Sequence, residues 1–110
     1  MSHLTTHILD ATAGAPAPNV AVTLHRHRED GTLDAVADGF TDADGRLALG
    51  PDELEPGMYA ITFATGAYFA DRGVETFYPL VTVTFTVADS RHYHVPILLS
   101  PFGYSTYRGS

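Results

Sequence analysis

The sequence predicts an all-β fold: a sandwich of two antiparallel sheets, about eight strands in all, with one short helix. Three observations predict it. Short runs alternate apolar and polar side chains, the period of a strand with one buried face. Gly and Pro recur between these runs, as many short turns require. Only the stretch from Thr65 to Gly73 breaks the alternation. The 110 residues are expected to form a single domain, 1–110, and a hydrophobic fraction of 45% is enough for one core.

Bulk properties exclude several kinds of chemistry. Without Cys the chain has no disulfide, thiol nucleophile or thiolate metal site. Without Lys it has no Schiff-base amine, since every basic residue other than His is Arg. A net charge of −7 argues against a nucleic-acid partner. No apolar run is long enough to span a membrane, and the opening residues lack a basic region followed by an apolar one. A cytoplasmic protein is the expectation.

Leu4 to Asp10 is the first strand. Leu4, Thr6 and Ile8 share one face, and Thr5 and His7 share the other. By itself His7 reads as a solvated surface residue. Ala11 to Pro18 is a turn rich in Ala, Gly and Pro. Val20 to Arg28 is the second strand, with Val20, Val22 and Leu24 inward and Thr23, His25 and His27 outward. His25 and His27 could chelate a metal together, but two ligands do not make a catalytic zinc site, so they read as solvated. Glu29-Asp30-Gly31 is a hairpin turn, and Leu33 to Thr41 is a third strand weakened by Ala and Asp.

Asp42 to Arg46 has the look of a calcium loop. Setting Gly45 at the loop's glycine puts Phe40 at the first ligand position and Pro51 at the last, so the loop fails at both ends. A tight turn at Asp44-Gly45 presenting Arg46 on a short strand, Arg46 to Leu49, is the better reading. Gly57 to Phe63 is a strand with Tyr59, Ile61 and Phe63 on one face. Thr65 is expected to cap the one helix and Gly73 to end it. Leu80 to Val87 has the cleanest alternation, Val81, Val83, Phe85 and Val87 against Thr82, Thr84 and Thr86.

The closing block puts Tyr93, Val95, Ile97 and Leu99 on one face and His92, His94, Pro96 and Leu98 on the other. An outward face with two imidazoles and an exposed Leu98 suggests that it meets another subunit, with the histidines in the space between. Pattern alone leaves Leu98 equally readable as an ordinary exposed side chain. A Pro-Phe-Gly turn and a last aromatic strand follow, and then Tyr107-Arg108-Gly109-Ser110. Arg108 beside a terminal carboxylate needs partners if it is packed, so this tail reads as part of a site.

Thr6-His7-Ile8-Leu9-Asp10, Asp44-Gly45-Arg46, His92-Tyr93-His94-Val95-Pro96, the run from Ser100 to Thr106 and the ending Tyr-Arg-Gly-Ser together resemble the 5-hydroxyisourate hydrolases, the transthyretin-related enzymes of purine breakdown. The resemblance runs from about Leu4 to Ser110. It implies the transthyretin-like topology, a homotetramer built as a dimer of dimers, and an active site in the cleft between dimers. It implies hydrolysis of the ring of 5-hydroxyisourate, a small-molecule substrate, to 2-oxo-4-hydroxy-4-carboxy-5-ureidoimidazoline, with no cofactor and no metal. By the same resemblance His7, Arg46, His94 and Ser110 are catalytic, and His7, Arg46, Tyr107 and Arg108 bind substrate. The roles suit the residue types. Neutral imidazole can move protons near pH 7, and a guanidinium stays charged and donates several fixed hydrogen bonds. Which of His7 and His94 is the base stays open. Two other readings are a transthyretin-like small-molecule carrier without catalysis, and a metal-dependent module using His92 with His94 or His25 with His27.

Overall fold

The computed structural model of the chain describes residues 3–109. Within them lie β1 (Leu4–Asp10), β2 (Ala15–Pro16), β3 (Ala21–His27), β4 (Leu33–Phe40), β5 (Arg46–Leu49), β6 (Gly57–Phe63), α1 (Thr65–Asp71), β7 (Val81–Val87), β8 (Tyr93–Ser100) and β9 (Gly103–Thr106). One sheet runs β2–β1–β8–β9 with β5 also paired to β1, and the other runs β4–β3–β6–β7. The expected strands are present. The additional one is β2, inside the stretch read as turn, where Leu9 faces Pro16 and Asp10 faces Ala15.

The expectation that both sheets are antiparallel needs correction. β1 and β8 run parallel, from Leu4 opposite Tyr93 to Asp10 opposite Leu99. Parallel neighbours cannot be joined by a hairpin and need a long crossover. Here the crossover is most of the molecule, since the chain builds the whole second sheet and α1 before β8 returns to lie along β1.

Alternation decides the core. Leu4 and Ile8 of β1, Val22 and Leu24 of β3, Ile61 and Phe63 of β6, and Ile97 and Leu99 of β8 are all buried between the sheets. Each such side chain contributes about 1.5–3 kcal/mol by leaving water. Two buried polar groups tie the layers together. Asp10 accepts the Tyr68 hydroxyl at 2.7 Å through one oxygen and the backbone N–H groups of Thr12 and Ala13 through the other. Burial first, and then this hydrogen bond to the carboxylate, push the Tyr68 hydroxyl up to about 12.

The helix starts differently from the expectation. Ala64 occupies the cap position with no side-chain cap bond. The Thr65 hydroxyl is turned instead to the Tyr78 carbonyl, 3.1 Å away, so it ties α1 to the segment leading into β7. The other end is as expected: Gly73 follows the helix at φ +66, and the Val74 N–H returns to the Phe69 carbonyl.

Candidate active site

The site is built on the outward face of the β5–β1–β8 sheet. In β1, Thr5 and His7 point away from the core by the same alternation that buries Leu4, Thr6 and Ile8. The antiparallel register sets His7 opposite Arg46 of β5, and the parallel register sets Thr5 opposite His94 of β8. Three segments far apart in sequence thus meet on this face, Thr5 and His7 from β1, Arg46 from β5 and His94 from β8.

The turn before β5 fixes Arg46. The Asp42 carboxylate accepts the backbone N–H groups of Asp44 and Arg46, at 2.9 and 3.0 Å. Gly45 has φ +72, and a Cβ there would lie 2.5 Å from the Ile8 carbonyl oxygen. The same glycine accepts the Ile8 N–H through its own carbonyl. Only glycine combines that backbone angle with so close an approach to β1. The turn also orients His7, whose Nε2–H donates to the Asp44 carbonyl at 3.0 Å and leaves Nδ1 as the second nitrogen.

His94 lies at the centre. Its Nδ1 is 2.8 Å from the Thr5 hydroxyl oxygen, and His92 Nε2 is 2.8 Å from that same oxygen. Burial, then the charges of His7, His92 and Arg46, pull the His94 imidazole below its ordinary value, with the Thr5 backbone acting weakly the other way. A neutral imidazole beside a permanent cation can accept a proton without first losing one.

His94 borders two clefts. One, of about 310 Å³, is lined by Thr5, Thr6, Asp42, Arg46, Leu47 and Ala48 together with His94. The other, of about 350 Å³, opens between the sheets and includes Val83 and Phe85 of β7, Tyr93, Tyr107 and Arg108. The structure therefore gathers His7, Arg46 and His94 on one face and sets Tyr107 and Arg108 on the far side of His94. Tyr107 is exposed, and the Arg108 guanidinium stacks over the Tyr93 ring at 4.4 Å. Ser110 lies outside the described residues.

Two further residues belong to this arrangement. Thr5 is one. Its place on the His7 face follows from alternation, but its contact with two imidazoles depends on the parallel register. Gly109 is the other. It donates its N–H to the His94 carbonyl at 2.9 Å, and a Cβ on it would lie 2.4 Å from His94 Cδ2. The tail passes so close to the imidazole that any Cβ at this position would force the ring or the tail to move. The one sequence signal for it was the Gly within the closing tetrapeptide.

The model of the HIUase/Transthyretin family matches residues 4–109, which takes in every segment of this site up to Gly109. The chain belongs to the HIUase/Transthyretin family. Among members of that family, a 5-hydroxyisourate hydrolase from Salmonella dublin is 46% identical over 110 residues, 97% of this chain and 80% of the relative. The solved structure of Klebsiella pneumoniae 5-hydroxyisourate hydrolase is similar at a TM-score of 0.87 and 41% identity, covering 97% of this chain and 98% of that one. Sea bream transthyretin in complex with thyroxine is similar at 0.90 and 34%, covering 96% and 93%. A 5-hydroxyisourate hydrolase and a thyroxine-bound transthyretin thus share this backbone, and what distinguishes them lies in the side chains.

Proposed function

We propose that the chain is a 5-hydroxyisourate hydrolase. The observation that carries this reading is the meeting of Arg46 and His94 in one outward-facing cleft, with His7 paired beside Arg46 on the same face and His94 biased towards its neutral form. The identity of 46% to a hydrolase, against 34% to a thyroxine-bound carrier, supports it over simple carriage.

The chemistry follows from the groups present. Water adds to a ring carbonyl, giving up a proton to the Nε2 of His94. Arg46 stabilises the oxyanion that forms. The ring C–N bond then breaks, and the leaving nitrogen takes a proton, for which His7, beside Arg46 on the same face, is the donor when it carries a second hydrogen on Nδ1. Tyr107 and Arg108 line the substrate's surroundings from the tail, and Ser110 is assigned the role of positioning water or substrate.

The working assembly is a homotetramer, a dimer of dimers with its site between dimers. Leu9 and Leu98 face each other in the β1–β8 register and are 39% and 45% exposed, giving an apolar edge beside the polar cleft. A partner across this face would cover the leucines and wall the cleft off from bulk solvent.

The test is the ultraviolet decay of freshly generated 5-hydroxyisourate in buffer alone, with the intact chain, and with a chain lacking residues 107–110. Fast decay only with the intact chain supports the hydrolase. Equal decay in all three would overturn it and return attention to ligand carriage.

A further inference from the structure

His94 cannot be understood without what stands behind it. A hydroxyl has one hydrogen to give and can accept others. The Thr5 oxygen sits 2.8 Å from His94 Nδ1 and 2.8 Å from His92 Nε2. It can donate to only one of these nitrogens, so the other must carry a hydrogen and donate to it. Two arrangements keep the Thr5 hydrogen between the two imidazoles. In one, Thr5 donates to His94 Nδ1, and His94 then carries its hydrogen on Nε2. In the other, His94 Nδ1–H donates to Thr5, Thr5 donates to His92 Nε2, and His94 Nε2 is bare. Among the described residues, His94 Nε2 has no hydrogen-bond partner, so it is the nitrogen left for water.

We propose that Thr5 and His92 form a proton relay behind His94, switching between these two arrangements once per turnover. At the start His94 Nδ1–H donates to Thr5, Thr5 donates to His92 Nε2, and His94 Nε2 is bare. When the attacking water gives its proton to Nε2, the Nδ1 hydrogen passes to the Thr5 oxygen as the Thr5 hydrogen passes to His92 Nε2. His94 ends neutral with Nε2–H, Thr5 ends as a hydroxyl donating to His94 Nδ1, and the positive charge rests on His92. One proton has left water and one has arrived on His92, so the balance closes. His92 is exposed and can release it to solvent, and after product leaves, a proton returning to His92 while His94 gives its Nε2 hydrogen to water shifts the hydrogens back through Thr5 and restores the start. His94, in contrast, is partly buried beside Arg46 and His7, where a lasting positive charge is costly. The other charged groups facing the relay are Asp42 across the β5 cleft and Arg108 across the second one. Thr5 is a positioning residue and His92 a proton outlet, and neither needs to touch substrate.

The relay rests on the reading of His94 as the base, and the experiment separates the two. Steady-state kinetics on 5-hydroxyisourate are measured for His94→Asn, Thr5→Val, Thr5→Ser and His92→Ala, each across pH and with added imidazole. In parallel, ¹⁵N chemical shifts of the ring nitrogens report the His94 tautomer. Thr5→Val and His92→Ala are each expected to lower kcat about tenfold, a fraction of what general-base catalysis supplies, with KM nearly unchanged. Thr5→Ser, which keeps the hydroxyl, is expected to stay close to the parent. Added imidazole is expected to restore His92→Ala, with a rescue that rises as imidazole becomes deprotonated. The wild-type shifts are expected to show hydrogen on Nδ1 of His94, and Thr5→Val to lose that preference. If His94→Asn is inactive but His92→Ala keeps full kcat without rescue, the relay is wrong and the base stands. If wild-type His94 carries its hydrogen on Nε2, the relay is wrong as well. If His94→Asn keeps its activity, the underlying reading fails with it.

Discussion

Replacing His94 by Asn keeps a polar side chain at the Thr5 contact but removes the group that titrates near neutral pH. The expected loss is about 10²–10⁴-fold in kcat, read from 5-hydroxyisourate decay. In the parent, the base must be unprotonated to work. Activity should therefore fall as pH drops, with a midpoint below the ordinary imidazole value of 6.5, because burial and the neighbouring cations pull His94 downward. A pH–rate profile checks the sign. Gly109→Ala is a second test at this scale. The new Cβ would start 2.4 Å from His94 Cδ2, so the tail or the ring must move. The expected outcome is a large drop in kcat with a melting temperature near the parent's, because Gly109 lies outside the core. Alternation alone could place His7, His94 and Thr5 on outward faces. It could not show that they meet, because strand pairing between distant segments leaves no local mark. Resemblance to the hydrolases supplied His7, Arg46 and His94 as a set. Nothing in the sequence singled out Thr5, whose role depends on a register that only the folded sheet sets.

At the scale of elements, the turn from Asp42 to Arg46 couples stability to the site. Gly45→Ala combines a positive φ with a Cβ 2.5 Å from the Ile8 carbonyl oxygen. It should destabilise the protein by about 1–3 kcal/mol, measured by urea unfolding, and lower activity further by displacing Arg46. The strands were legible because alternating side chains mark a wet and a dry face, and β1 and β7 follow that period closely. β2 was not, because two residues in a turn carry no period. The start of α1 was misread because Thr65 is a good cap by type, while tertiary structure gives its hydroxyl a stronger claim in the Tyr78 carbonyl. The parallel pairing of β1 with β8 was also hidden, since alternation fixes faces and says nothing of strand direction.

For the whole molecule, the outward face of the β5–β1–β8 sheet is the surface on which the proposed function rests. Leu98→Asp would place a charge in the proposed contact, and light scattering should then show a smaller assembly than the parent's. A monomeric parent at working concentration would overturn the tetramer. A tag fused after Ser110 is expected to cost most of the turnover, because Gly109 already packs on His94 and any shift of the tail there would disturb the imidazole. A tagged chain with parental kcat would contradict this.

The parallel β1–β8 pair also sets the order of events when the protein is made. His7 lies near one end of the chain and His94 near the other, and the register that joins their strands spans almost everything between. Closing so long a loop is among the slower steps in folding a β protein. During synthesis, β1 must wait, with its hydrophobic edge unpaired, until β8 has left the ribosome. The second sheet, whose strands follow each other more closely, can form meanwhile. The catalytic face would thus be the last part to mature, and a chain stalled before Tyr93 would hold much of a sandwich but no working site.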